Sequence, residues 1–235
     1  METLILFDID GTLVRGGPAK ASFQQAMERV FGTRGRAATW EFSGKTDPQI
    51  AREILEDAGV PPEEVDRGLD ALWNAYLTEM ETRIAEDPPA VLPGVRELLE
   101  RLVEETEVAL GLVTGNIAGG ADLKLGAVGL RELFAVGGFG SDHPDRNELP
   151  GIAMGRARGR WGVDFVPEAV VVVGDTPRDV VCGRHAGTRT VAVATGRFSE
   201  EALATTEPDR LLPDLSETGR VLEAILDSRG GAGPG

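Results

Sequence analysis

The chain has 235 residues, 41% of them hydrophobic, which suits one large domain or one domain that carries an insertion. Its 39 acidic and 24 basic residues give a net charge of −15, which argues against non-specific binding to nucleic acid or to an anionic membrane. The single cysteine, Cys182, excludes an internal disulfide, and the sequence shows no signal-peptide pattern or membrane-length apolar run, so we expect a cytoplasmic, soluble protein.

The first predicted strand, residues 3–7, ends in two carboxylates. In LILFDIDGTLV, Asp8 and Asp10 follow the apolar run on either side of Ile9. Two-residue spacing lets both carboxylates point the same way if the strand geometry continues. Buried charge is costly unless it is paired or binds a metal. The pair therefore predicts partners from elsewhere in the chain, while Gly11 allows close backbone approach and Thr12 offers a hydroxyl or amide to an anion.

The segment that follows this strand has helical rather than strand patterning. Residues 19–31, 48–58 and 62–84 each fit an amphipathic helix, and proline and glycine near residue 90 mark the end of the segment. The sequence therefore predicts a helical cap, residues 16–87, inserted after the first strand.

The rest of the chain alternates strand and helix. Three further buried strands are predicted over residues 108–113, 169–173 and 189–193, and helices over 95–103, 147–160 and 179–186. Strands without period-two alternation are typical of a parallel sheet covered on both faces. We therefore predict an α/β fold: a doubly wound, Rossmann-like parallel sheet, with residues 1–15 and 88–228 as the core and a disordered tail, residues 229–235.

Three of the predicted strands end in polar clusters, FDIDGT, LVTGN and VVVGDTPRD. Because the carboxyl ends of parallel strands share one edge, Asp8, Asp10, Thr114 and Asp175 should converge there. Clustered carboxylates repel one another, and Mg²⁺, which prefers oxygen ligands, resolves that repulsion. Asp8 and Asp175 are the candidate Mg²⁺ ligands.

Residues 114–116 offer a phosphate cradle. Thr114, Gly115 and Asn116 supply a hydroxyl and free amides where a helix begins. The alternative is structural, since Asn116 could simply cap that helix. Asp179 has a similar alternative, because it stands three residues after Thr176 in a capping-box pattern.

DIDGTL, LVTGN and GDTPRD, in this order and spacing, resemble the motifs of the haloacid dehalogenase superfamily, and the fit covers nearly the whole chain. The subgroup is similar to phosphoglycolate phosphatases and β-phosphoglucomutases. The resemblance implies that Asp8 is the nucleophile and that Asp10 is the general acid and base, its backbone carbonyl on Mg²⁺. It further implies that Thr114 binds the transferring phosphoryl group, that Asp175 binds the metal, and that Asp179 is linked to the metal indirectly.

The family pattern also requires a cation between the second and third motifs, usually a lysine. Arg146, in SDHPDRNEL just before a predicted helix, is our candidate, because arginine can bridge a phosphate and a carboxylate. Lys124, within a helical pattern nearer the second motif, is the alternative.

The cap contributes the loop SGKTDPQI, residues 43–50. Asp47 before Pro48 favours a helix N-cap with proline at the first helical position. In the resembled subgroup this loop faces the active site, so Lys45 and Thr46 are candidate substrate contacts.

The resemblance therefore implies a Mg²⁺-dependent phosphatase that acts on a small phosphorylated metabolite. A phosphomutase of the β-phosphoglucomutase type would share every motif. A haloacid dehalogenase would leave Asp10 without a leaving alcohol to protonate, which weighs against it. A non-catalytic module that binds a phosphorylated ligand is the alternative from another class.

Overall fold

The computed structural model describes residues 1–227, so the predicted tail, residues 229–235, lies outside the described residues. The strands are β1 Thr3–Phe7, β2 Val14–Arg15, β3 Ala90–Val91, β4 Val108–Thr114, β5 Val136–Phe139, β6 Val170–Gly174, β7 Arg189–Val193 and β8 Arg210–Leu212. The helices are α1 Ala19–Phe31, α2 Asp47–Asp57, α3 Pro62–Arg83, α4 Val95–Glu104, α5 Ala118–Ala127, α6 Leu149–Trp161, α7 Pro177–His185, α8 Glu200–Ala204 and α9 Thr218–Leu226.

Six strands form a parallel sheet in the order β5-β4-β1-β6-β7-β8, which confirms the predicted Rossmann-like fold. The central strand, β1, pairs with β4 on one side and β6 on the other. Phe7 lies opposite Leu112 and Val173 in this register. The carboxyl ends of β1, β4 and β6 are therefore level, and the polar residues that follow them meet at one edge.

Helices cover both faces of the sheet. Ile5 and Phe7 belong to one apolar cluster, with α4, α5 and α9, whereas Leu4 and Leu6 belong to another, with α6. Strand β1 therefore buries both of its faces, which explains why its sequence is a continuous apolar run.

No residue ranges were predicted from the sequence for some of the helices and strands in the structure. Strand β5 has the sequence VGGF, whose two glycines remove the apolar signal, yet both are buried in the sheet. Helix α5 contains three glycines, and it buries Lys124. The short strand β8 and the helices α8 and α9 also went unpredicted.

Helices α1, α2 and α3 have an apolar cluster of their own. Phe23 packs edge-on against Tyr76, with ring centroids 5.8 Å apart. A small antiparallel ribbon pairs Val14 with Val91 and Arg15 with Ala90 where the chain enters and leaves this helical segment. The division into a core and a cap, residues 16–87, stays our prediction. Among the described residues, no helix combines the length and the apolar character that a membrane crossing needs.

Candidate active site

The end of β1 presents two carboxylates in different settings. Ile9 between them is fully buried in the core, as the strand spacing predicts. Asp8 is 5% exposed and is held under the sheet edge, where its backbone N–H donates to the Val173 carbonyl at 2.9 Å. Asp10, by contrast, keeps 47% of its side chain exposed. Both acids line the same cavity.

Arg146 is the buried cation beside Asp8. Its Nη2 donates to Asp8 Oδ1 at 2.7 Å, to Asp179 Oδ1 at 2.5 Å and to the Val113 carbonyl at 3.3 Å. Burial raises the pKa of Asp8, and the positive charge of Arg146 only partly opposes that effect. Arg146, the cation favoured from the sequence, thus directly contacts Asp8, the predicted nucleophile.

Lys124 occupies the other half of the site. Its Nζ lies 2.7 Å from Asp10 Oδ1, 2.6 Å from Asp10 Oδ2 and 2.7 Å from Asn116 Oδ1. Burial alone would raise the pKa of Asp10, but the charge and hydrogen bonds of Lys124, together with Asn116, lower it. The two candidate cations therefore have separate partners, Arg146 with Asp8 and Lys124 with Asp10.

Asn116 links these groups. Its Nδ2 donates to Asp10 Oδ2 and to Thr114 Oγ1, both at 2.7 Å. The N-cap residue of α5 is Ile117, so the structural alternative for Asn116, a helix cap, is not what the structure shows. The side chain instead joins Asp10 to Thr114, the predicted phosphoryl-binding residue.

Three buried carboxylates form a group that could hold a metal ion. Oxygen atoms of Asp8, Asp175 and Asp179 lie within 4.8 Å of one another. Burial and the neighbouring acids raise the pKa of Asp175, whose Oδ1 accepts from the Thr12 hydroxyl at 3.4 Å. A hard cation would offset this crowding of negative charge, and an all-oxygen donor set fits Mg²⁺.

The Asp175 carboxylate packs directly against the backbone of two glycines, Gly11 and Gly196. At Gly11, whose φ is +89°, an added Cβ would lie 2.4 Å from Asp175 Oδ2. At Gly196 it would lie 1.7 Å from the same oxygen. Any larger residue at either position would displace the carboxylate, so the backbone itself shapes this part of the site.

Asp179 has little freedom to bind a ligand. Its Oδ2 accepts from the Thr176 backbone N–H at 2.9 Å and from the Thr176 hydroxyl at 2.8 Å, which completes the expected capping box of α7. Its Oδ1 accepts from Arg146. Asp179 therefore supports the acidic group chiefly by holding Arg146.

The loop before α2 closes over the site, with one correction to the sequence interpretation. Thr46, not Asp47, is the N-cap, because its hydroxyl accepts from the Gln49 backbone N–H. The Thr46 hydroxyl also donates to the Pro144 carbonyl at 2.7 Å, and the residue is fully buried. Thr46 does not line the cavity, so its predicted substrate contact is not supported.

Asp47 joins the loop to the second motif. Its backbone N–H donates to the Gly115 carbonyl at 2.7 Å, and its Oδ2 accepts from the Ile117 backbone N–H at 2.8 Å. Burial raises the pKa of Asp47 to about 6, with Lys124 opposing the shift. The Asp47 carboxylate thus accepts a hydrogen bond from the backbone N–H of Ile117, the N-cap residue of α5.

Lys45 lines the cavity, but its ammonium group pairs closely with Glu53 on α2. Trp40 donates to the same carboxylate at 3.0 Å. Lys45 can contact a ligand only as part of this neutralised pair.

The cavity above the acids has a volume of about 490 Å³. Its walls include residues that sequence reasoning missed. Tyr76 and Phe23 form an aromatic side, and Arg15 and Lys20 bring positive charge. These residues belong to no motif, and only the placement of β2, α1 and α3 around the cavity reveals them.

Comparison with known proteins gives consistent results. A family model for haloacid dehalogenase-like hydrolases matches residues 5–193. A phosphoglycolate phosphatase of Synechococcus elongatus is 30% identical over 228 residues, covering 94% of this chain and 96% of that protein. A pyrophosphatase of Bacillus pumilus is 26% identical over 229 residues, covering 91% of this chain and 93% of that protein.

Solved structures share the fold. A predicted phosphoglycolate phosphatase from Haemophilus somnus superposes with a TM-score of 0.67 at 22% identity, covering 94% of this chain and 97% of that one. A β-phosphoglucomutase from Clostridium difficile gives a TM-score of 0.64 at 16% identity, covering 96% and 97%. At this level of identity the two likenesses establish the fold alone.

Proposed function

The chain belongs to the haloacid dehalogenase-like hydrolase family, and we propose that it is a Mg²⁺-dependent phosphatase that hydrolyses a small phosphorylated metabolite through an aspartyl-phosphate on Asp8. The observation that carries the proposal is the convergence of Asp8, Asp10, Thr114, Arg146 and Asp175 on one cavity. They come from four separate segments of the chain. A purely structural role for all five would not explain why they meet at a cavity.

Mg²⁺ is the proposed cofactor. Asp8, Asp175 and the Asp10 carbonyl would hold it, and when bound it would neutralise charge on the phosphoryl group. The raised pKa values of Asp8 and Asp175 support this assignment, because buried neighbouring acids favour a bound cation.

In the first step, an Asp8 carboxylate oxygen attacks phosphorus and the bond to the leaving oxygen breaks. A proton from Asp10 goes to that leaving oxygen. Arg146 neutralises charge beside Asp8, and the Thr114 hydroxyl binds the transferring group, with the backbone of Gly11, Thr12, Gly115 and Asn116 around it. A protonated Asp10 must give up at least one of its contacts with Lys124, since a protonated oxygen is a poor acceptor for the ammonium group.

In the second step, Asp10 takes a proton from water. The water oxygen attacks phosphorus, the bond to Asp8 breaks, and inorganic phosphate leaves. The Asp10 carboxylate held by Lys124 is already in the ionised state that this step needs.

The cavity indicates the kind of substrate. Its volume of about 490 Å³ fits a small metabolite. Arg15 has no carboxylate partner among residues 1–227, and the Lys20 ammonium donates to the Ala38 carbonyl rather than to an acid. Positive charge at the cavity wall favours an anionic substrate in an otherwise acidic protein.

The cap, residues 16–87, is proposed to exclude bulk water while the substrate reacts. Gly44 and Lys45 already lie against the core loops, so closure would need only local adjustment. Access for the substrate would then require this segment to open.

The test is release of inorganic phosphate from p-nitrophenyl phosphate, with and without Mg²⁺. The wild type should be active only with the metal, and D8N should lose essentially all turnover while staying folded. D164N, at a side chain that is 78% exposed, is the matched control. Activity near the wild-type rate in D8N, or none in the wild type, would contradict the proposal.

A panel of phosphorylated metabolites then separates hydrolysis from a mutase reaction. A phosphatase releases inorganic phosphate in step with substrate loss, whereas a phosphomutase moves the phosphoryl group within a sugar phosphate. We expect release.

A further inference from the structure

Lys124 uses every donor that it has inside the protein. An ammonium group carries three N–H donors. The three acceptors within 2.7 Å of its Nζ are Asp10 Oδ1, Asp10 Oδ2 and Asn116 Oδ1. Nothing is left to bind a phosphate, so Lys124 is not arranged as the cation that neutralises the substrate.

Asn116 completes a closed set of contacts around Asp10. Its Oδ1 accepts from Lys124, which fixes the orientation of the amide, and its Nδ2 then faces Asp10 and Thr114. Lys124 is 4% exposed, Asn116 6% and Thr114 fully buried. Asp10 alone among the four presents about half of its side chain to the cavity. Two buried side chains, Lys124 and Asn116, thus hold one accessible carboxylate, and Asn116 is itself bonded to Thr114.

Stability does not explain this arrangement. Burial of a lysine ammonium is costly, and a buried ion pair is often no more stabilising than apolar residues of similar volume. Helix α5 already packs against the apolar core through Ala121 and Leu125, so the packing of the helix does not depend on Lys124. What the ammonium adds is the fixed position of Asp10.

We propose that Lys124, with Asn116, is a positioning residue that holds the Asp10 carboxylate in the orientation required for the second, hydrolytic step. This inference rests on the proposed function. In that step Asp10 removes a proton from the water whose oxygen attacks the phosphorus bound to Asp8. Misplacing a base by about 1 Å can lower a rate on the order of 100-fold.

The experiment separates the two steps. With p-nitrophenyl phosphate the leaving group needs little protonation, so the first turnover reports attack by Asp8 and the steady state reports hydrolysis of the aspartyl-phosphate. In rapid mixing with Mg²⁺, K124M should show a burst of p-nitrophenolate within about threefold of the wild-type first-turnover rate. Its steady-state rate should fall on the order of 10- to 100-fold. KM should fall by the same factor as kcat, so that kcat/KM, which reports the first step, stays near the wild-type value.

Two further variants keep the test decisive. N116A retains Lys124 and removes the second anchor of Asp10, so its steady-state rate should fall in the same way even if K124M does not fold, whereas its burst also reports the lost contact with Thr114. D122N changes an exposed acid on the same helix and should leave both phases at wild-type rates.

A double variant tests whether Lys124 acts through Asp10. If it does, K124M in a D10N background should cost less than about twofold more than D10N alone. Multiplicative losses, or equal loss of the burst and the steady state, would overturn the inference while leaving the phosphatase proposal intact. A wild type that releases no phosphate would contradict both.

Discussion

Arg146 Nη2 lies 2.7 Å from Asp8 Oδ1, and the same nitrogen lies 2.5 Å from Asp179 Oδ1. One buried guanidinium thus connects the end of β1 to the first turn of α7. The separation in sequence is 138 positions for Asp8 and 33 for Asp179. Because Arg146 shares the acids with the proposed Mg²⁺ site, it can both stabilise the fold and neutralise a phosphoryl group.

Replacing Arg146 by methionine should affect stability and activity together. R146M leaves Asp8 and Asp179 buried without their cation, and breaking a buried pair in this way costs about 3–5 kcal/mol. Phosphate release should fall on the order of 100- to 1,000-fold. Urea unfolding and steady-state assays measure the two effects. R158M, whose exposed pair with Asp164 spans 3.6 Å, should change stability by less than about 0.5 kcal/mol. An R146M protein with activity within threefold of wild type would refute this role.

Replacing Asp175 should separate metal binding from folding. Burial and the neighbouring acids raise the pKa of Asp175 to about 9, so the metal-free carboxyl is already neutral near pH 7, and D175N should leave the stability of the metal-free protein close to that of the wild type. Saturating Mg²⁺ should stabilise the wild type, by about 2.7 kcal/mol at 100 times the dissociation constant, but not D175N. Thermal unfolding with and without Mg²⁺ measures both. The exposed variant D164N should keep the full response to Mg²⁺. An undiminished response in D175N would place the metal elsewhere.

Asp47 makes stability depend on pH. Its pKa is about 6 in the folded protein against about 3.9 for an unfolded aspartate. The folded state therefore binds more protons between these values, and the stabilisation from protonation is complete below pH 4 and lost as the pH rises through 6. D47N stays neutral and keeps an acceptor for the Ile117 N–H. Its stability relative to wild type should rise by about 1–2 kcal/mol from pH 4 to pH 7. A flat difference in urea unfolding across this range would contradict the assignment.

Gly115 should tolerate no side chain. A Cβ there would lie 2.0 Å from the Lys45 carbonyl oxygen, and a backbone atom cannot move aside cheaply. G115A should therefore lose about 1–3 kcal/mol in urea unfolding and should lower activity by displacing the loop over the site. Gly126, near the end of α5, has no atom within 4 Å of its added Cβ. G126A should instead gain about 0.5–1 kcal/mol and keep full activity. Equal effects of the two variants would show that the close approach is unimportant.

The sequence predicted the parts of the fold that have strong local patterns. The bounds of β1, β7 and α1 agree with the structure to the residue, because each is an apolar run or an amphipathic stretch with clear ends. The bounds of strand β5 and helix α5 were not predicted, since their glycines lower local propensity and the buried Lys124 interrupts the apolar pattern of α5. Their structure depends on tertiary packing.

The site likewise has residues that the sequence could predict and others that depend on contacts in the folded protein. Motif order and the shared sheet edge were enough to bring Asp8, Thr114 and Asp175 together. The sequence could not distinguish Arg146 from Lys124, because the two cations differ in which acid they reach through space. The sequence likewise could not show that the Thr46 hydroxyl donates to the Pro144 carbonyl, because the two residues are 98 positions apart.

Asp8 is proposed to carry the phosphoryl group during turnover. To test this, the wild-type reaction is stopped with acid during turnover of a ³²P-labelled substrate in Mg²⁺, and the label is located by peptide mass spectrometry. We expect acid-stable label on the peptide that contains Asp8, and none in D8N. The proposal would be contradicted if the wild type released phosphate without label on Asp8 and D10N, at the same substrate concentration, also showed no label on Asp8.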